Sequence, residues 1–324
     1  MKYRYMCLAA TLALLCISAT GPAEGFLPGM PSLSGWSCAP AHKANCSVAG
    51  KLGYLGYPRC LVYERAAVAS NPGGIDFVRY EVPVEGLWVA ASAASSGPER
   101  GFAAYEPGEG LCFSLGASWL FPNSKQTNET INGAGGPGDR TWSTTTQWYT
   151  FEAYASRCAV QNFSLIGGFR YDSFSAKFTD PQPGLDFITS RPADEAELLL
   201  ASYIPYVGAV TKWGGVEVGV IGFPWVFGNI EQRQTITGAG VRYQTVGNYR
   251  NAYFLETWAE VGRQVGIVNL SAFATYTVLH AVGEFDLQRQ PIGGLVQTAP
   301  NTFGIDRQNW ILGGKLVVGL NSPL

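Results

Sequence analysis

Seven charged residues lie within runs of alternating apolar residues, on the face opposite to the large apolar side chains: Glu152, Arg170, Asp172, Glu217, Glu256, Glu260 and Lys315. Arg170 and Asp172, for example, alternate with Phe169 and Tyr171. Successive side chains of a strand point to opposite faces, so the seven charges are expected on the polar face of a sheet. If that face is enclosed, carboxylates and cations can neutralise one another as ion pairs, or they can line a path for a solute or ion.

Few other residues offer catalytic or metal-binding chemistry. Cys38, His42 and Cys46 have a spacing that could suggest a metal site, but no fourth ligand follows at a zinc-finger spacing. The sequence therefore predicts no metal and no cofactor, and instead a disulfide among Cys38, Cys46 and Cys60. There is no Gly-x-Ser-x-Gly turn and no His pair of the metalloprotease type, so no catalytic residue is predicted.

The composition limits the class of protein. Hydrophobic residues make up 47% of the chain and charged residues only 14%, well below the quarter or so that is usual for soluble domains. The charges are too few to cover an ordinary soluble surface. The net charge of −2 gives no electrostatic case for binding nucleic acid. Forty glycines and 13% aromatic residues are typical of many strands joined by tight turns.

The N-terminus has the pattern of an export signal. Lys2 and Arg4 precede an apolar stretch from Met6 to Ala19, and small residues follow at positions 21–23. The apolar stretch is too short to span a bilayer as a helix. We therefore predict a cleavable signal peptide over residues 1–23, a Gly/Pro/Cys-containing periplasmic lead-in over 24–50, and a β-barrel over 51–324.

Strand-length alternation recurs along the rest of the chain and is clearest from Leu111 to Phe121. The connections are alternately long and short, and the polar stretches 122–142, 179–194, 229–250 and 283–303 are expected to be exposed loops. The third of these has the pattern of a short hairpin extension at Val241, Tyr243 and Thr245. This order predicts an antiparallel up-and-down transmembrane β-barrel of about ten strands, within a range of about eight to twelve, with both chain ends on the short-turn side. The apolar phase slips near Asp172-Ser173 and near Val220-Ile221, which predicts either a β-bulge or a passage from membrane to exposed rim.

The two faces of these strands favour a membrane barrel. The polar face is mostly Gly, Ser and Thr, which suits a lumen better than a water-facing exterior, whereas the apolar face suits lipid. Five aromatic residues lie near strand ends, where interfacial girdles form: Trp119, Phe121, Phe223, Trp225 and Trp310. The expected location is the outer membrane, with the lipid bilayer and the barrel-assembly machinery as partners and small solutes as candidate ligands. The alternative is a soluble exported ligand-binding barrel.

The segment from Trp148 to Val226 resembles the omptins, a family of ten-stranded outer-membrane proteases. The likeness lies in Phe-Arg-Tyr-Asp-Ser-Phe-Ser after Gly167-Gly168, in Ile-Pro-Tyr-Val-Gly at 204–208, and in the strand from Val216 that leads into a long polar connection. The resemblance implies the same kind of barrel, at least for the central strands.

Omptin catalysis resembles water activation by an Asp-His couple opposite a pair of acidic residues at the outer rim. Here the stretch after Trp225 reads VFGNIEQRQTIT, which has neither residue of the couple, and only Asp139 stands near the position of the acidic pair. A rim site at His280, beside Glu284 and Asp286, is the remaining candidate. We therefore predict a non-enzymatic, structural or narrow-pore barrel with long surface loops, and a divergent omptin-like surface hydrolase as the alternative.

Overall fold

The chain folds as an antiparallel β-structure. The computed structural model describes residues 45–66, 75–96, 111–133, 136–160, 163–179, 195–213, 215–236, 241–265, 268–291 and 294–321. In these ranges the strands are β1 Asn45–Ala66, β2 Ile75–Val82, β3 Gly86–Ser96, β4 Leu111–Gly133, β5 Gly136–Val160, β6 Phe163–Thr179, β7 Glu195–Trp213, β8 Val216–Phe223, β9 Phe227–Ile236, β10 Val241–Val265, β11 Val268–Pro291 and β12 Gln297–Asn321. No helix within them is long and apolar enough to cross a membrane.

The strands close into a ring. β1 pairs with β12 along its length, from Asn45 opposite Asn321 to Ala66 opposite Asn301. β2 and β3 both pair with β1 and with β4, so they are two halves of one barrel strand. β8 and β9 likewise share the place between β7 and β10. The described segments therefore make a barrel of about ten strands, which confirms the fold predicted from the sequence.

Each divided strand is interrupted at a proline. Pro83 follows β2 and Pro224 follows β8, and a proline has no N–H to donate to the ladder. The first strand begins at Asn45, before the predicted boundary at residue 51. Residues 1–44, with the predicted signal peptide and most of the predicted lead-in, lie outside the described residues.

Three stretches that were expected to be exposed loops are strands. β4 and β5 form one long hairpin whose register runs to Gly133 opposite Gly136, and it covers the predicted loop 122–142. Hairpins β9–β10 and β11–β12 similarly cover most of 229–250 and 283–303. Their outward residues are polar, and an antiparallel strand with one face in water needs few apolar residues, so its sequence resembles a loop. Residues 180–194 of the fourth predicted loop lie outside the described part.

The polarity of the barrel wall inverts along the long strands, and β6 shows this most clearly. In β6 the inward positions are first charged, Arg170 and Asp172, and then apolar, Phe174 and Phe178, and all four are buried on one parity. The pairings of β6 with β5 and β7 run through this point without a register shift. Of the two explanations for the phase slip, the structure supports a change of surroundings and excludes a bulge in β6. β8 also keeps its register through Val220 and Ile221.

Two halves of the barrel can therefore be defined. In the half near the short turns, which we call the belt half, large apolar side chains are exposed on the outside; among them are Leu52, Leu115, Phe151, Phe169, Val207, Val261, Leu270 and Leu312. In the other half, the extension, the buried core is apolar and includes Phe174, Phe178, Leu198, Ile230, Phe285 and Phe303. Register shifts occur near the junction, between Gly56 and Arg59 in β1, Leu120 and Asn123 in β4, and Tyr249 and Asn251 in β10.

Candidate functional site

Arg170 joins two carboxylates at the centre of the lumen. Its Nη1 and Nη2 donate to Glu256 at 2.7 and 3.0 Å, and Nη2 also donates to Glu152 at 3.2 Å. The Tyr206 hydroxyl donates to Glu152, and the Thr277 hydroxyl donates to Glu256 at 3.0 Å. Each carboxylate therefore receives hydrogen bonds from the guanidinium and from one hydroxyl. The cluster connects five strands across the lumen, β5, β6, β7, β10 and β11.

Gly168 leaves room for the Tyr206 side chain to reach Glu152. Gly168 on β6 lies opposite Tyr206 on β7. A Cβ atom at Gly168 would lie 2.6 Å from the Tyr206 hydroxyl and 2.6 Å from Cβ of Tyr154, which is closer than such atoms approach. The missing side chain at Gly168 therefore leaves the space through which Tyr206 contacts Glu152.

A second ion pair lies one step nearer the extension. Arg307 Nη1 donates to Asp172 Oδ1 at 3.1 Å, and Nη2 donates to Oδ2 of the same carboxylate. Trp148 Nε1 donates to Asp172 Oδ1 at 2.8 Å, and the Arg307 guanidinium lies over the Trp148 ring at 4.6 Å from its centroid. All three side chains are buried. The pair thus fills the lumen at the level where the exterior changes from apolar to polar.

Two further pairs lie nearer the short turns. Lys315 Nζ donates to both oxygens of Glu260, at 2.8 and 3.0 Å. Lys212 Nζ lies 3.1 Å from Glu217, which also accepts a hydrogen bond from Trp258 Nε1 at 2.9 Å. Charge is therefore neutralised locally at both positions.

These groups surround a cavity in the belt half. Its volume is about 160 Å³, and its charged and aromatic lining includes Lys51, Lys212, Lys315, Glu217, Glu260 and Trp258. Lys51 lies directly opposite Lys315 on the neighbouring strand, with its Nζ 5.3 Å from the centroid of the Phe273 ring. The lining is thus charged and polar, with both signs of charge present.

The lumen on the extension side of Arg307 is packed with apolar side chains. Those that are fully buried include Phe174, Leu198, Ile230 and Phe303. Aromatic contacts continue across this region, for example between Trp142 and Phe178 at 6.1 Å and between Phe285 and Phe303 at 5.9 Å. The cavity is therefore separated from the far end of the extension by a packed core.

The structure places all seven predicted lumen residues on the inner side of the wall, in the contacts given above: Glu152, Arg170, Asp172, Glu217, Glu256, Glu260 and Lys315. Sequence reasoning missed Lys51, Lys212 and Arg307. Arg307 has the same parity in β12 as Lys315, but it precedes the apolar alternation that begins at Trp310. Lys212 is the last but one residue of β7, beyond the apolar alternation that ends at Val210.

The five predicted girdle residues do not all have the same environment. Four are exposed on the outside, at 44% to 66%: Trp119, Phe121, Trp225 and Trp310. Phe223 is half-buried, and its ring packs at 5.8 Å against that of Trp225. Trp310 stacks at 4.6 Å on Tyr276 of the adjacent strand.

His280 is not at a strand end, so the rim site suggested for it is misplaced. β11 extends from Val268 to Pro291, and His280 lies in its middle, opposite Tyr253 on one side and Asp306 on the other. Its neighbours in sequence, Leu279 and Ala281, are buried inside the barrel, so His280 faces outward. The Tyr253 and His280 rings are 5.3 Å apart.

The predicted disulfide is wrong for Cys60, which is a free and fully buried thiol. Cys46 lies at the other end of the same strand, about 45 Å away at the usual rise per residue, whereas a disulfide needs Cα atoms within about 7 Å. Cys38 lies outside the described residues. In the described ranges no three His, Cys, Asp or Glu side chains are grouped so that they could hold a metal ion.

Comparison with solved structures shows what kind of barrel this is. The chain is similar to the outer-membrane protease OmpT from Escherichia coli, with a TM-score of 0.63 and 12% sequence identity over 85% of this chain and 97% of that one. A second match, OccAB4 of Acinetobacter baumannii, covers 85% of this chain and 99% of that one at 8% identity. Its TM-score of 0.14 is too low to indicate a shared fold. The sequence matches no protein-family model and no curated protein. The fold is therefore that of a distantly omptin-like β-barrel.

The comparison corrects the prediction that the protein is not an enzyme. That prediction relied on missing omptin catalytic residues, yet the fold is one that a protease uses. Residues at the rim of a barrel can change while the wall that carries them is kept. Missing residues at the expected sequence positions therefore do not exclude catalysis on this fold.

Proposed function

We propose that the protein is an integral outer-membrane β-barrel with its belt half in the bilayer, its short turns in the periplasm and its extension outside the cell. The exposed apolar belt around a charged interior carries this proposal. In β4 the exposed apolar side chains run from Phe113 to Phe121 and in β10 from Tyr253 to Val265. These stretches are long enough for a transmembrane β-strand, which needs about 9–11 residues. Exposed Trp119 and Trp310 lie where an interfacial girdle belongs.

Envelope fractionation followed by gel electrophoresis tests the membrane assignment. A closed barrel resists detergent, so the unboiled protein should migrate faster than the boiled protein and occur only in the outer-membrane fraction. Recovery from the soluble periplasmic fraction, with the same mobility boiled and unboiled, would contradict the proposal. It would support a soluble barrel whose apolar belt binds another protein.

The proposed barrel is closed to solutes along its axis. The buried Arg307–Asp172 pair and the apolar core beyond it lie between the cavity and the far end of the extension. Conductance recordings in planar bilayers should therefore show no channel steps. Discrete steps from heat-modifiable protein would favour the narrow-pore alternative.

The side from which the cavity opens can be tested with Cys112, which is a free, partly exposed thiol that lines it. In a variant that keeps only this cysteine, a small charged maleimide should label Cys112 after the outer membrane is permeabilised and not in intact cells. Labelling of intact cells to the same extent would show a passage through the extension. Buried Cys60, kept as the only cysteine in a second variant, is the matched control that should stay unlabelled in both preparations.

A surface hydrolase is a second candidate, which the barrel shared with OmpT favours. Folded protein should then cleave an unstructured peptide that boiled protein leaves intact. Because His280 lies on the outer wall, His280→Ala should cleave as well as the parent. If folded protein cleaves no member of a peptide library, this candidate is removed while the membrane assignment stands.

A further inference from the structure

We propose that the cavity in the belt half binds a small organic monocarboxylate, whose carboxylate lies against the ammonium group of Lys51. The inference rests on the proposed function in one respect, that the cavity opens on the short-turn side. It assigns a ligand class to a site whose other charged residues pair with one another.

The carboxylates around the cavity already have donors. Glu260 accepts from Lys315 and, at 2.7 Å, from the Ser271 hydroxyl. Glu217 accepts from Trp258 and pairs with Lys212. Glu152 and Glu256 share Arg170 and each accept from one hydroxyl, as described above. A ligand cation would therefore have to displace a donor that is already bound.

Lys51 differs from the other cations. The face of Phe273 lies 5.3 Å from its ammonium, and among the described residues no carboxylate is within ion-pair distance. Glu217, Glu256 and Glu260 attract the ammonium from farther away. It also lies directly opposite Lys315, and like charges opposite each other on adjacent strands are destabilising. Burying an ammonium group without a partner costs free energy. An anion bound at Lys51 would reduce this cost and also the repulsion between Lys51 and Lys315.

The rest of the lining selects the size and shape of the anion. Ile166, Val210 and Ile221 of strands β6, β7 and β8 line the same cavity, across the lumen from Lys51 on β1. A cavity of about 150 Å³ holds benzene, so the 160 Å³ here suits a carboxylate with a short apolar tail, between butyrate and benzoate in size. A dianion would bring a second negative charge near four glutamates, and the described lining residues offer no second cation without an ion-pair partner.

Butyrate is the probe that tests this inference. Titrated calorimetrically into folded protein in nonionic detergent, it should bind saturably. The intrinsic tryptophan fluorescence, to which Trp258 in the cavity lining contributes, should change in parallel. Lys51→Met should weaken binding by about tenfold or more, the size expected for a lost charge-assisted hydrogen bond. Lys177→Met, at an exposed position outside the cavity, is the matched control and should bind like the parent.

Several results would overturn the inference. These are no saturable binding, equal binding of butanol, or an unchanged affinity in Lys51→Met. If Lys51→Met fails to fold, Lys51→Arg keeps the charge with a different shape and should still bind butyrate better than butanol; equal binding of the two would again overturn it. Heat-modifiable mobility is measured independently, so a failure of butyrate binding leaves the proposed membrane function intact.

Discussion

At the scale of single residues, the Arg307–Asp172 pair has an environment unlike that of a surface ion pair. Both side chains are buried, and Trp148 supplies a third hydrogen bond. Removing one partner of such a pair leaves a charge without compensation, whereas replacing both with apolar residues is often neutral. The pair is therefore a sensitive reporter of the packing between the belt half and the extension.

We expect Arg307→Met to lower the free energy of unfolding by about 3–5 kcal/mol, because Asp172 would stay buried without its cation. The double variant Arg307→Met with Asp172→Leu should recover most of that loss. Urea unfolding in lipid vesicles measures both. A double variant as unstable as the single one would show that the loss comes from packing and not from an unpaired charge.

Cys60 offers a test of burial beyond the belt. Desolvation by burial raises the pKa of its thiol to about 12. Because the folded-state pKa lies above the unfolded value near 9, the thiol's contribution to stability is complete below about pH 9 and is lost as the pH rises toward 12. The stability difference between the parent and Cys60→Ala should therefore fall by up to about 1.4 kcal/mol per pH unit in that window. If the free energies of unfolding of the parent and of Cys60→Ala change in parallel with pH, the thiol is in contact with solvent.

At the scale of elements, two adjacent glycines of β6 have opposite surroundings. A Cβ at Gly168 would meet the Tyr206 hydroxyl, Tyr154 and the Ala153 carbonyl, whereas a Cβ at Gly167 would meet nothing within 4 Å. The spacing of β5, β6 and β7 at the Arg170 cluster therefore depends on one glycine and not on its neighbour.

Gly168→Ala should destabilise the barrel by about 1–3 kcal/mol, the usual effect of overpacking, and weaken the Tyr206 contact with Glu152. Gly167→Ala is the matched control and should change stability by less than about 0.5 kcal/mol. Thermal unfolding of the two variants in the same detergent measures how much each substitution destabilises the barrel. Equal effects would mean that strand propensity, and not the inner contact, controls this position.

The sequence predicts which face a residue occupies better than which residue it contacts. Arg170 and Asp172 could be assigned to the lumen because strand parity is local. Their partners could not, because Arg170 and Glu256 are 86 residues apart and Arg307 and Asp172 are 135 apart. Parity fixes a side of the wall, but the height at which two strands meet depends on the stagger of the closed barrel.

The same limit explains the loops that proved to be strands. Strands were predicted where large apolar residues recur on the outward face. In the extension the outward positions are polar, so its strands lack this signal. The inward alternation of Trp142, Thr144, Thr146 and Trp148 in β5 was present, but two threonines and two tryptophans within a polar stretch do not resemble a lipid-facing strand. Fold class and approximate strand number were predictable, whereas the extent of the strands was not.

At the scale of the whole molecule, the inversion of polarity predicts different tolerance to charge in the two halves. Phe169 and Ser175 both face outward on β6, Phe169 in the belt half and Ser175 in the extension. Phe169→Lys should cost about 2–4 kcal/mol if it meets the middle of the bilayer, whereas Ser175→Lys should stay within about 0.5 kcal/mol of the parent. Unfolding in lipid vesicles measures the difference, and equal costs would contradict the assignment of lipid to the belt half.

The length of the β4–β5 hairpin determines how far its tip lies from the junction between the belt half and the extension. From the junction to Gly136, β5 contains about a dozen residues, which at a strand rise of about 3.3 Å and a tilt near 40° correspond to a height of roughly 30 Å. The headgroup layer on one side of a bilayer is only about 5–8 Å thick. The tip of the hairpin would therefore stand well clear of the lipid, within reach of macromolecules that never touch the membrane.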